Sequence, residues 1–150
     1  MKKILLLCTF ALVANFLTAQ ELDPVAWEWK AEKISDSEFN LIFTAKMDDG
    51  WFVYSQFLGE DGPIPTAFEY DDKSIELVGK NVEEGAKKKE GYDEMFDMNL
   101  IKFGGTATFT QKVKVSKGVD KISGALTYMT CDDMRCLPPK DVEFVVNLVD

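Results

Sequence analysis

Thr106-Ala107-Thr108-Phe109-Thr110-Gln111-Lys112-Val113-Lys114-Val115 alternates without a break. Ala107, Phe109, Gln111, Val113 and Val115 fall on one side; Thr106, Thr108, Thr110, Lys112 and Lys114 fall on the other. That is the period of a strand with one buried face. Residues 39–47 repeat it, with Phe39, Leu41, Phe43, Ala45 and Met47 set against Asn40, Thr44 and Lys46. Asp48-Asp49-Gly50 then makes a turn, and Trp51-Phe52-Val53-Tyr54 starts the next strand. Ile122, Gly124, Leu126 and Tyr128 form a further face, and Val142, Phe144, Val146 and Leu148 the last. Shorter candidates span residues 26–34, 66–70 and 74–78.

No segment carries a sustained helical period with caps; residues 82–90 are expected to form at most a helical turn or two. About seven or eight short strands with frequent turn signals predict an all-β chain, a single-domain, immunoglobulin-like antiparallel β-sandwich. Trp27 and Trp29 share a strand face. Two such rings can form a sugar-binding platform, but large aromatics commonly fill sandwich interiors, and core packing is the expectation.

The N-terminus reads as an address. Lys2 and Lys3 precede an apolar run over residues 4–17 interrupted only by Thr9 and Asn15, and Leu17-Thr18-Ala19 ends in a small residue before Gln20. The run is too short to be a membrane span, so residues 1–19 are expected to be a secretory signal peptide cleaved near Ala19, leaving one domain over residues 20–150 with no direct membrane insertion. A lipoprotein would need its cysteine at the cut, and Cys8 lies too early. The leader holds two of the 17 basic residues and none of the 26 acidic ones, so the mature net charge is −11. Such an acidic surface argues against nucleic acid and anionic membranes as partners. Lys87-Lys88-Lys89 is flanked by Glu83, Glu84 and Glu90 and reads as a solvated stretch.

The sequence contains no histidine. This excludes catalytic triads of the usual kind, most zinc enzymes and c-type haem attachment, and no cofactor or metal is expected. Loss of Cys8 with the leader leaves Cys131 and Cys136, and export predicts a disulfide between them. Asp132-Asp133 suits a turn between the two, and Pro138-Pro139 extends the exit. The closed loop is so short that its bridge is worth only about 2 kcal/mol in the chain-entropy model. A staple that constrains so little is better suited to chemistry, but an inert hairpin disulfide in a non-catalytic binding or assembly module satisfies the spacing equally well.

Longer stretches carry a resemblance. Ala125-Leu126-Thr127-Tyr128-Met129-Thr130-Cys131 followed by Cys136-Leu137-Pro138-Pro139 resembles the active-site strand pair of the N-terminal periplasmic domain of the thiol:disulfide interchange protein DsbD. Asp49-Gly50-Trp51-Phe52-Val53-Tyr54-Ser55 resembles the aromatic strand beside that family's cysteines, and Gly62-Pro63-Ile64-Pro65-Thr66 with Phe68-Glu69-Tyr70 the segment after it. Tyr92-Asp93-Glu94-Met95-Phe96 resembles the loop that caps them.

The resemblance implies thiol–disulfide exchange, with Cys136 forming mixed disulfides and Cys131 resolving them. Asp93, Glu94, Met95 and Phe96 would form the cap, its covering residue falling on Met95 or Phe96, and Tyr54 and Tyr128 would line the site. It also implies a periplasmic location. Electrons would come from a membrane electron conductor or thioredoxin-like donor and pass to periplasmic thiol proteins, including disulfide isomerases and cytochrome c maturation factors. Full-length members add the conductor and a thioredoxin-like domain, which these residues do not contain, so the relay is expected to run in trans. Some members place five residues between the cysteines, against four here. Asp132, Asp133, Asp93 and Glu94 would raise the thiol pKa, opposed only by Arg135.

Overall fold

The computed structural model describes residues 22–59, 61–71 and 75–148. The expected leader, with Cys8, lies outside them. Among the described residues nine strands follow in chain order: β1 Val25–Lys33, β2 Glu38–Met47, β3 Phe52–Tyr54, β4 Ala67–Tyr70, β5 Ile75–Asp93, β6 Met98–Val115, β7 Lys121–Tyr128, β8 Thr130–Cys131 and β9 Lys140–Asn147. They form two antiparallel sheets, an immunoglobulin-like β-sandwich. The smaller sheet runs β4-β7-β9 and the larger β1-β2-β6-β3-β8, with β5 also on β6.

The length of β6 explains how it serves three neighbours. One edge of β6 pairs with β2 along 106–114 and with the much shorter β3 along 102–104, while β5 follows its other edge from 98 to 115. Alternation then sorts the side chains. Leu41, Phe43 and Ala45 of β2, Phe103, Phe109 and Val113 of β6, and Val53 of β3 point between the sheets, meeting Ile122, Leu126, Phe144 and Val146. Phe43 lies at the centre, its ring 4.5 Å from Phe68 and 4.8 Å from Phe144. Trp27 and Trp29 pack against this core; Trp27 stands 5.7 Å from Phe109, and Trp29 donates its indole N–H to the Val145 carbonyl at 2.9 Å.

The helical expectation for residues 82–90 is overturned, because they lie inside β5. Glu, Ala and Lys favour helix locally, but cross-strand pairing of Val82 through Glu90 with β6 overrides the preference. The ladder slips twice, between Val78 and Val82 and between Gly85 and Lys87. At the second slip Ala86 faces Gly105 and Thr106 together, and Gly105 takes φ +69°, a conformation that costs glycine little. At the first, buried Gln111 turns its amide N–H to the carbonyls of Val78 and Lys112 at 3.4 and 2.7 Å.

β7 leaves the smaller sheet at Tyr128, and after Met129 the chain joins the larger one as β8. This crossing delivers Cys131 to the rim of the larger sheet. Gly124, on β7 between β4 and β9, permits the packing that holds the crossing strand: an added Cβ would lie 2.1 Å from the Glu69 carbonyl oxygen and 2.6 Å from the Phe144 ring. Gly124→Ala should therefore destabilise the domain by at least about 1–3 kcal/mol, the usual cost of overpacking, read as a lower urea midpoint at unchanged slope.

Candidate functional site

The site is built on β3. Val53 faces the main core, so Phe52 and Tyr54 face outward, on the surface of the larger sheet away from its partner. β8 pairs with β3 so that Cys131 stands opposite Phe52, and the Thr130 hydroxyl donates to the Phe52 carbonyl at 2.9 Å. On the other side of β3, Gly104 and Lys102 of β6 pair with Phe52 and Tyr54. The missing side chain at Gly104 leaves room for the Phe52 ring, since a Cβ there would lie 3.0 Å from it. The ammonium groups of Lys89 and Lys102 cover that ring at 4.3 and 4.7 Å from its centroid.

Cys131 and Cys136 are joined by a disulfide. The turn between them is set by Asp132, whose amide N–H donates to the Arg135 carbonyl at 3.0 Å and whose carboxylate accepts the N–H groups of Met134 and Arg135, each at 2.8 Å. Those amides, Met134's foremost, together with the Arg135 charge, hold the Asp132 carboxyl below its ordinary pKa, against a smaller upward push from burial. Past the bridge, the Leu137 N–H returns to the Thr130 carbonyl at 2.9 Å. The two sulfur-bearing residues differ in access: Cys131 is 2% exposed, whereas Cys136 is half-buried.

A third element closes over them. β5 and β6 pair as far as Asp93 and Met98, leaving residues 94–97 as a hairpin tip. Asp93 organises it, accepting the Met95 N–H at 3.0 Å and forming an ion pair with Lys102 at 2.7 Å. The Tyr92 hydroxyl donates to the Asp97 carboxylate across the base of the hairpin tip. The tip sets the Met95 Sδ 3.3 Å from the Cys136 Sγ. The bridged sulfur has no proton to give, so this is a sulfur–sulfur packing contact. The Phe96 ring stands edge-on to Tyr54 at 5.7 Å, in a small apolar cluster with Leu100, Met98, Met129 and both cysteines.

Of the residues expected from sequence, Tyr54, Asp93, Met95 and Phe96 thus converge on the cysteine pair. Glu94 is exposed on the tip and lines a groove of about 480 Å³ beside the site, together with Lys89, Lys102, Asp132 and Asp133. Tyr128 lies elsewhere. Its ring is in the main core 5.4 Å from Trp27, and its hydroxyl donates to Asp23 at 3.4 Å. Burial, with the Asp23 charge second, pushes its pKa up to about 12. Burial likewise raises the Tyr54 phenol, with Asp93 adding to it, so Tyr54 keeps its proton at neutral pH. The charge balance also differs from expectation: Lys102 and Lys89 join Arg135 in opposing the acids. The period of the 106–115 strand, carried back to Lys102, could have placed that lysine on the outer face.

A β-sandwich with a disulfide-bonded cysteine pair on its rim is the arrangement that the family match identifies as a thiol–disulfide exchange module. Residues 19–148 match the family of thiol:disulfide interchange protein DsbD N-terminal domains, and the chain belongs to that family. Solved structures agree in fold. The reduced DsbD N-terminal domain of Neisseria meningitidis is 20% identical at a TM-score of 0.54, over 83% of this chain and 85% of that one. The N-terminal periplasmic domain of ScsB from Proteus mirabilis reaches 0.63 at 19% identity, over 88% of this chain and 49% of that one. The Neisseria domain in complex with the PilB N-terminal domain gives 0.53 at 21%, over 84% and 87%. No curated protein sequence matches the chain.

The Asp93 contacts make the tip sensitive to acid. Burial alone would raise this carboxyl, but the Lys102 hydrogen bond and charge and the amides of Met95 and Phe96 outweigh it and hold the pKa below 3.8. Because the folded value is depressed, the contribution is complete above about 3.8 and is lost as pH falls through the folded value. Reduction of the disulfide by a phosphine, normalised to a small-molecule disulfide, should accelerate below that pH. Asp93→Asn should be faster already at neutral pH and lose the acid response, at a stability cost between the ~1 kcal/mol of exposed pairs and about 3 kcal/mol for buried ones.

Proposed function

We propose that the chain is a periplasmic electron carrier whose Cys131–Cys136 pair cycles between disulfide and dithiol, shielded between encounters by the 94–97 tip. The observation that carries this reading is the disulfide itself, with Cys131 buried and the half-buried Cys136 in contact with the Met95 sulfur. A bridge closing so small a loop, worth about 2 kcal/mol, can open and close without endangering the fold.

In the reduced state the Cys136 thiolate attacks a partner disulfide, forming a mixed disulfide and releasing one partner thiolate. Cys131 then attacks the Cys136 sulfur, restoring the internal bridge and releasing the second partner thiol; two electrons pass to the partner. The greater access of Cys136 supports its role as the attacking sulfur, and the burial of Cys131 suits a resolving one. Reduction of the oxidised carrier follows the same steps in reverse.

The donor in this scheme is a membrane electron conductor or a thioredoxin-like protein acting in trans, and the acceptors are periplasmic thiol proteins, including disulfide isomerases and cytochrome c maturation factors. The solved complex of a DsbD N-terminal domain with a PilB domain supports partner docking by this type of module. Export with cleavage near Ala19 agrees with a family match that begins at residue 19.

The reduction potential tests the proposal. Equilibration against glutathione or thioredoxin should place the pair at roughly −180 to −270 mV, whereas a value below about −300 mV would make it a structural bridge. Cys136→Ser should abolish exchange while lowering stability by no more than about 2 kcal/mol. Cys131→Ser should accumulate a partner linked through Cys136, detectable on a non-reducing gel.

A further inference from the structure

The residue covering Cys136 is itself chemically reactive. Met95 is 42% exposed, and its thioether sulfur lies 3.3 Å from the Cys136 sulfur. Met98 and Met129 are half-buried and Met47 is buried at 8%. Met134 is 86% exposed, on the turn between the cysteines and outside the apolar cluster that holds them. A leucine or phenylalanine at position 95 could offer the same apolar cover but could not be converted to a polar group by mild oxidants. Methionine can: a hydroperoxide transfers one oxygen to the thioether, giving the sulfoxide and the corresponding alcohol, or water from hydrogen peroxide.

The product no longer suits its position. A sulfoxide oxygen accepts hydrogen bonds and donates none, and the bridged sulfurs beside it carry no proton to offer. Of the charged groups lining the adjacent groove, Glu90, Asp93, Glu94, Asp132 and Asp133 are also acceptors, Lys102 is engaged by Asp93, and Lys89 lies over the Phe52 ring. Solvating the new oxygen therefore favours moving the side chain off Cys136 and into water. The tip can follow, since residues 94–97 lie beyond the last ladder pair.

We propose that Met95 is an oxidation site at which hydroperoxides uncover the Cys136 sulfur, making the disulfide easier to reduce under oxidant exposure. This rests on the reading of the 94–97 tip as a shield.

The test uses the disulfide-bonded protein in a Met134→Leu background, which removes the most exposed competitor. After hydrogen peroxide treatment, peptide mass spectrometry should find one added oxygen on Met95 before Met98, Met129 or Met47. Reduction of the Cys131–Cys136 bridge by glutathione should then be several-fold faster than in the untreated protein. Met95→Leu should show no such rise, and Met95→Ala should be fast without peroxide. Oxidation of Met98 or Met129 ahead of Met95 would overturn the proposal. So would an unchanged reduction rate after Met95 oxidation while Met95→Ala is fast, a result that leaves the shield itself intact. If neither oxidation nor Met95→Ala accelerates reduction, the shield reading falls as well.

Discussion

The short strand Phe52–Tyr54 is the member on which the site depends, because it is held on both edges and used on both faces. β6 pairs with one edge and β8 with the other, and the Thr130 hydroxyl bonded to the Phe52 carbonyl fixes the outer pairing. A further clamp comes from Thr66, whose hydroxyl donates to the Tyr54 carbonyl at 2.6 Å. Val53 anchors the strand in the main core, while Tyr54 supports Phe96 and the cysteine cluster. A platform of this kind fixes where the disulfide sits, and in the proposed scheme movement falls to the hairpin tip, which the ladder does not reach.

That division of labour suits a carrier. A sulfur that reacted with every passing disulfide would lose its electrons before meeting its partner, so cover must be firm enough to persist and weak enough to lift. The tip is joined to the platform by the Asp93–Lys102 ion pair, two amide contacts and the side chains of Met95 and Phe96. Each is a modest interaction, and Met95 is exposed, so a docking protein could replace its contact first. Lys102 has two tasks here: it neutralises the Asp93 carboxylate at the tip and lies over the Phe52 ring of the platform. It thereby links the movable part to the fixed one.

Much of this could be read from the sequence. Alternation located β2, β7, β9 and the 106–115 part of β6, since each buries one face and the period is local information. The extended run of β5 was hidden because its composition favours helix and its strand state comes from pairing with β6, a partner distant in the chain. β8 is too short to show a period at all. Tyr128 illustrates a related limit: it precedes Cys131 closely, but alternation around the crossing from one sheet to the other sends its ring into the main core and Met129 toward the sulfurs. Lys102 was missed because a lysine on an acidic protein reads as solvated until its pairing with Tyr54 places it beside the tip.

The turn between the cysteines explains how the pair can open without disturbing this platform. Asp132 holds the turn through its own amide and through the amides of Met134 and Arg135, and the Leu137–Thr130 bond closes the strands beyond it. None of these four bonds passes through sulfur. Arg135 adds a contact 5.7 Å over the Trp51 ring, binding the turn back to the start of β3. Reduction of the S–S bond would break none of these contacts, so the backbone that brings Cys131 and Cys136 together would keep its own bonds. The bridge records an oxidation state on a scaffold that is already folded. The four-residue spacing serves this end: a tight, carboxylate-capped turn keeps its own shape, whereas a longer loop would rely on the disulfide to close it and would lose more order on reduction.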